Sequence, residues 1–202
     1  MSARFQIAAL TALSIAQLGV SGWSIVRYET ILSSGTPYKI RAAPVDPADA
    51  FRGRYVTVQP SIRITPSLWA EKKAILDQVQ YGRQPAYVKL AIDAEGFARA
   101  AEIVAEAPRE GDYLEIAGVW PIWTPRTDDP GKSELTGYTL RFSFDRYYMN
   151  EAAAPAAQRR YVQAVPQARN ASAWLAVRVR NGAAVIEGLF VGGVAIEDIV
   201  RQ

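Results

Sequence analysis

Between Phe5 and Val26 the chain carries 22 consecutive residues without a charge; past Tyr28 the pattern breaks into short alternating runs. About 20 helical residues span a hydrocarbon core, so the first stretch predicts a membrane-crossing helix. Gln6 and Gln17 are its only strongly polar members, and Arg4 and Arg27 bracket it. Trp23 and Tyr28 stand at its downstream end, where amphipathic rings settle among lipid headgroups. A helix apolar on every side belongs in a buried core or a membrane, and at an N-terminus the membrane is the simpler placement. Val20-Ser21-Gly22 offers small residues for a signal cleavage, yet the apolar run continues through Trp23, Ile25 and Val26. That exceeds a signal-peptide apolar region of about 7–15 residues and predicts a retained anchor. The expected division is an anchor over 1–27 and a β-rich domain over 28–202.

Downstream, Tyr38–Ala42 reads as a strand. Asp46-Pro47-Ala48-Asp49 reads as a capped helix start, Asp46 at the N-cap and Asp49 at the positive end of the dipole, with Gly53 ending it. Tyr55–Ile62 alternates, Val56 and Val58 on one face, with Pro60 marking an edge or a strand end. In "TPSLWAEKKAILDQVQYG" Thr65 caps, Pro66 opens and Gly82 follows the end of a helix. Leu68, Ile75, Leu76 and Val79 form its apolar side. Tyr87–Ile92 and Phe97–Ala105 flank a turn at Asp93–Gly96. Propensity favours helix for the second of these, but the short connection favours a hairpin strand. Tyr113–Trp120 reads as one strand, "PIWTPRTDDPGKSE" as a long loop, Thr136–Phe144 as a strand and Pro155–Val165 as a helix. Asn181-Gly182 joins the last two alternating runs and is the strongest hairpin cue in the chain. Seven or eight strands and two helices predict a mainly β (α+β) domain, barrel-like or a curved sheet with flanking helices.

Composition narrows the chemistry. Among 202 residues there is no cysteine and no histidine. Thiolate zinc sites, cysteine nucleophiles and Ser-His-Asp triads are therefore excluded, and no metal or cofactor is expected. The excess of 23 basic over 20 acidic residues is small and scattered, with doublets only at Lys72-Lys73 and Arg159-Arg160, so no nucleic-acid surface is expected.

A Ser-Lys dyad is the natural catalyst in a chain without these residues. Ser33 or Ser34 with Lys39, and Lys132 with Ser133, are the candidate pairs; four of the five lysines lie in wet-looking surroundings, and Lys89, within a strand, is the exception. Neighbours in an extended chain do not point at each other, which weakens the second pair. Paired carboxylates, Asp46 with Asp49 or Asp128 with Asp129, suit calcium binding or glycosidase chemistry, but Asp46 and Asp49 fit capping better, and Asp128-Asp129 before Pro130-Gly131 fits an ordinary turn. Trp120 and Trp123 suit a partner-binding or membrane-touching tip, since tryptophan is enriched at such surfaces.

"QLGVSGWSIVRYETILSSGTPYKIRAAPVDPADAFRGRYVTVQPSI", then "AYVKLAIDAEGFARA", "FDRYYMNE" and "VRVRNGAAVIEGLFVGG", follow the uncharged span in an order that resembles the bacterial GDYXXLXY proteins. The proline-aspartate block leading into Arg52-Gly53-Arg54-Tyr55 is the most specific part. Against the naming motif Gly53 and Tyr55 match; Arg54 replaces the aspartate, Val58 the leucine and Pro60 the last tyrosine. Any role resting on that aspartate is not carried over. Asp112 stands in a downstream Gly-Asp-Tyr, and the role is not transferred to it.

The resemblance implies a membrane-anchored domain outside the cytoplasmic membrane of a bacterium, accompanied by a polytopic membrane protein, with no established reaction. It sets a periplasmic orientation against the local charge count, in which Arg27, Lys39 and Arg41 outnumber Arg4. The expectation is a non-enzymatic partner subunit tied to lipid through Phe5–Val26. Arg52, Gly53, Arg54 and Tyr55 form its presented corner, and Trp120 and Trp123 a second contact. The alternative is a cell-envelope hydrolase or ligand-binding domain.

Overall fold

A computed structural model describes residues 3–43, 55–126, 128, 129, 131–164 and 173–201. The chain begins with one helix, α1 (Ala3–Ser34), which continues past Arg27 into the predicted connector. Its described large apolar side chains from Ile7 to Tyr28 are all exposed, at 57–73%. Yet among the described residues no helix is long and apolar enough to cross a membrane. This corrects the reading of a self-sufficient span. Alanine, glycine, serine and threonine, with Gln17, dilute the leucine, isoleucine and valine along α1.

The helix ends against the sheet. Ile31 is buried, Gly35 N–H donates to the Ile31 carbonyl at 2.8 Å, and Arg180 Nη1 donates to Ser34 Oγ. A Cβ on Gly35 would lie 2.4 Å from the Ile31 carbonyl oxygen and 3.1 Å from that of Val179, so only glycine lets the helix exit this close to the sheet.

Strands β1 (Thr36–Ala43), β2 (Tyr55–Thr57) and β3 (Gln59–Ile64) lead to helix α2 (Pro66–Gln80). Thr65 Oγ1 accepts from Leu68 N–H at 3.2 Å, the cap that its sequence announced. Then come β4 (Ala86–Ile92), β5 (Ala98–Val104), β6 (Tyr113–Ile116), β7 (Gly118–Pro125), β8 (Ser133–Arg141) and β9 (Arg146–Tyr148). Helix α3 (Ala154–Ala164), strands β10 (Ala173–Arg180), β11 (Ala183–Val191) and β12 (Val194–Ala195), and helix α4 (Ile196–Val200) complete the chain.

A seven-stranded sheet runs β12-β11-β10-β1-β3-β8-β7, beside a three-stranded sheet β5-β4-β6 and the pair β2-β9. The large sheet keeps two open edges, so the β-rich expectation holds but no barrel closes. Twelve strands and four helices are present among the described residues, more than the sequence suggested. One core joins the sheets, with Ile40, Val56, Val58, Leu76, Leu114, Leu140 and Leu175 at its centre.

Three strand assignments change, each for a long-range reason. Tyr55–Ile62 is broken at Val58, whose N–H donates to the Asp145 carbonyl at 2.9 Å. On either side α3 holds the break: Gln158 Oε1 accepts from Thr57 N–H at 2.7 Å, and Tyr161 OH accepts from Gln59 N–H at 3.4 Å while donating to the Ala43 carbonyl of β1 at 2.7 Å. Tyr113–Trp120 is likewise two strands in two sheets, split where Ala117 N–H donates to the Arg141 carbonyl at 2.8 Å. The supposed loop after Trp120 is the β7-β8 hairpin; β7 is an edge strand, where Pro121 and Pro125 are tolerated. Pro60 sits in β3 opposite Ala42, ahead of the Ile62–Ile64 ladder to β8, and so at a strand end as expected.

Candidate functional site

Where α1 meets the domain, a cleft of about 1080 Å³ opens between the helix, β6, the 143–148 connection and the β10-β11 turn. Trp23, Arg27 and Ile31 recur every fourth residue and so share the face of α1 that borders it. Asn181 and Gly182 take φ of 49° and 80°, the paired positive angles of a tight hairpin turn, and set the opposite rim. Tyr87 and Tyr113 meet edge-to-face at 5.6 Å on the wall. Glu115 follows on β6, and the FDRYY segment contributes Phe144, Asp145, Arg146 and Tyr148. Tyr148 meets Tyr55 edge-to-face at 5.7 Å, and the Arg146 guanidinium lies 5.1 Å from the Tyr55 ring centroid. Hydrogen bonding with Tyr148, reinforced by Tyr55 and Asp145, pushes the Arg146 pKa up and holds it as a fixed cation.

Of the sequence-predicted site residues, Asp46, Asp49, Arg52, Gly53 and Arg54 lie outside the described residues. Tyr55 begins β2 and pairs with Tyr148, at the edge of the cleft. Trp120 and Trp123 lie elsewhere, on edge strand β7. Trp120 stands opposite Thr139 and Trp123 opposite Leu135, on either side of an irregularity in the β7-β8 ladder between Ile122 and Trp123. Trp120 is 51% exposed and covered on one side by Arg141, 4.1 Å from its centroid; Trp123 is 59% exposed.

No described lysine is hydrogen-bonded to a serine. Lys39 lies 5.1 Å over the Trp174 ring, Lys89 pairs with Glu102 at 2.8 Å, and Lys132 with Asp129 at 3.1 Å. Ser33 and Ser34 both donate to the Thr30 carbonyl of their own helix. Among the described residues no three acidic groups converge in a way that could hold a metal ion.

Arg27, Glu115 and Arg146 escaped the sequence reading because nothing local marks them. Only the "FDRYY" segment carried a hint, as part of the resemblance.

The Gly-Asp-Tyr at 111–113 has a structural task. Gly111 turns the chain at φ 81°, and Asp112 Oδ2 accepts from Tyr38 OH at 3.0 Å, tying β6 to β1. Burial, then this hydrogen bond and the nearby carboxylate charge, push the Tyr38 pKa up to about 12. A phenol raised in the fold adds stability that is complete below its unfolded pKa of about 10 and is lost as pH rises through 12. In an alkaline titration followed by phenolate absorbance, Tyr38 should ionise near 12, ahead of Tyr161, which burial pushes up further still, and Tyr38→Phe should remove the step near 12. If the step survives in Tyr38→Phe, the assignment is wrong.

A family model described as GDYXXLXY protein matches residues 17–189, from within α1 to β11. No curated protein and no solved structure gives a match.

Proposed function

Because the chain belongs to the GDYXXLXY protein family, we propose that it acts as a partner subunit of an integral membrane complex: α1 lies in the inner membrane of a bacterium against a helix of a polytopic protein, and the β-rich body stands on the periplasmic side without chemistry of its own. One observation carries this reading. Ten large apolar side chains of α1, from Ile7 to Tyr28, stand more than half exposed, without cover from the described residues. A contiguous apolar surface of that extent is not left in water, because monomers rarely expose patches beyond a few hundred Å².

The modest apolarity of the helix supports a protein companion over lipid alone. Small residues such as Ala12, Ala16, Gly19 and Gly22 let helix backbones approach closely in a membrane, and Thr11, Ser14 and Gln17 supply polar groups for cross-helix hydrogen bonds. A helix too dilute to cross by itself gains what it lacks from a neighbour.

The corner Arg52-Gly53-Arg54-Tyr55 and the tryptophans of β7 are the proposed contacts on the body. In mild detergent, the full chain should co-purify with a polytopic membrane protein, and Arg52→Glu/Arg54→Glu should lose it. If the double variant retains that protein, the corner is not the interface. If the wild type never captures it, the partner-subunit reading fails. The hydrolase alternative has no lysine-serine pair to rest on among the described residues.

A further inference from the structure

The cleft at the base of α1 carries both signs of charge on an aromatic wall. Arg27 and Arg146 supply two guanidiniums, Glu115 and Asp145 two carboxylates, among the rings of Tyr28, Tyr113 and Tyr148. Asp145 and Arg146 approach only to 3.7 Å, both about half exposed. Arg27 and Glu115 make no ion pair or side-chain hydrogen bond among the described residues, so one cation and one anion in the same cleft stand unspent. A monovalent anion or cation would leave one pair unmatched. A ligand bearing a phosphate and an ammonium together satisfies both. Guanidinium forks bind phosphate through charge-assisted hydrogen bonds, and tyrosine faces with a carboxylate bind an ammonium.

The shape agrees. From Ile31 back to Trp23 the cleft follows about 12 Å of helix, and there it meets the exposed uncharged stretch that ends at Val26. A ligand with its polar end in the cleft has an apolar path leading away from it.

We propose that this cleft binds the headgroup of an ethanolamine-bearing phospholipid, with phosphate toward Arg27 and Arg146, ammonium toward Glu115 and Asp145, and acyl chains along α1. The proposal rests on α1 lying in a bilayer, and the test separates the two. Full-length protein, delipidated in detergent, is titrated by calorimetry with short-chain phosphatidylethanolamine and, as the control without an ammonium, phosphatidylglycerol. Saturable binding of the ethanolamine lipid is expected, tighter than that of the glycerol lipid. Arg27→Gln and Glu115→Gln should each weaken it about tenfold or more, the loss of one charge-assisted bond. Glu115→Gln should leave phosphatidylglycerol unaffected, and Tyr81→Ala, at an exposed residue just past α2 and away from the cleft, should bind as wild type. Thermal unfolding of each variant confirms its fold.

Absence of saturable binding, equal affinity for the two lipids, or folded Arg27 and Glu115 variants that bind like wild type would each overturn the proposal. Fractionation of the same proteins reads the anchor separately. A wild type that pellets with membranes yet ignores the lipid refutes the cleft alone; one that stays in the soluble fraction refutes the anchor, whatever it binds in detergent.

Discussion

Gly182→Ala is expected to destabilise the fold by about 2–5 kcal/mol, the sum of a left-handed alanine and a forced repacking. Two independent causes meet at this residue. Its φ is +80°, which an alanine adopts only under strain, and the added Cβ would stand 2.6 Å from Tyr113 Cε2. The Tyr113 ring cannot swing freely, because it packs edge-to-face on Tyr87. Thermal unfolding should shift down by roughly 4–20 °C for a chain of this size. Gly96→Ala is the natural comparison: φ is +85° there, but open space surrounds it. It should lose only the backbone share, about 1–2 kcal/mol. Equal losses at the two sites would mean that the Tyr113 contact contributes nothing.

The other large effect concerns α1. Leu13 and Ile15 lie near the middle of the uncharged stretch, and both side chains are exposed. A charge at the centre of a membrane helix costs about 2.5–3.5 kcal/mol, so two arginines cost on the order of 5–7 kcal/mol. Leu13→Arg/Ile15→Arg should therefore move the protein from the membrane to the soluble fraction, while its β-rich body keeps its cooperative unfolding. Unchanged fractionation of the double variant would show that this stretch does not lie among lipid or helices.

Features written within a few residues of each other were legible beforehand. Thr65 and Pro66 announced α2, Asn181-Gly182 announced the last hairpin, and the alternation of Val56 and Val58 put both in the core. Even Phe97–Ala105, helical by propensity, came out as β5, because the Asp93–Gly96 turn pairs it with β4. What escaped was decided by distant partners. Gln158 and Tyr161 stand about a hundred positions from the strand break they hold, and Arg141 splits β6 from β7 from across the sheet.

The cleft escaped for the same reason, since its walls come from five separate stretches of chain and only folding brings Arg27 near Glu115 and Arg146. Along α1 the count of uncharged residues was right, but counting charges does not measure apolarity. The small and polar residues that make the helix a weak span also suit it to a helical neighbour.

The account stands on α1 being covered by something other than water. Alkaline carbonate extraction of membranes containing the unaltered chain tests this directly, since it strips peripheral proteins and leaves embedded ones. Retention in the membrane pellet, with release only by detergent, is the predicted result. Recovery of the intact protein in the carbonate supernatant would contradict it.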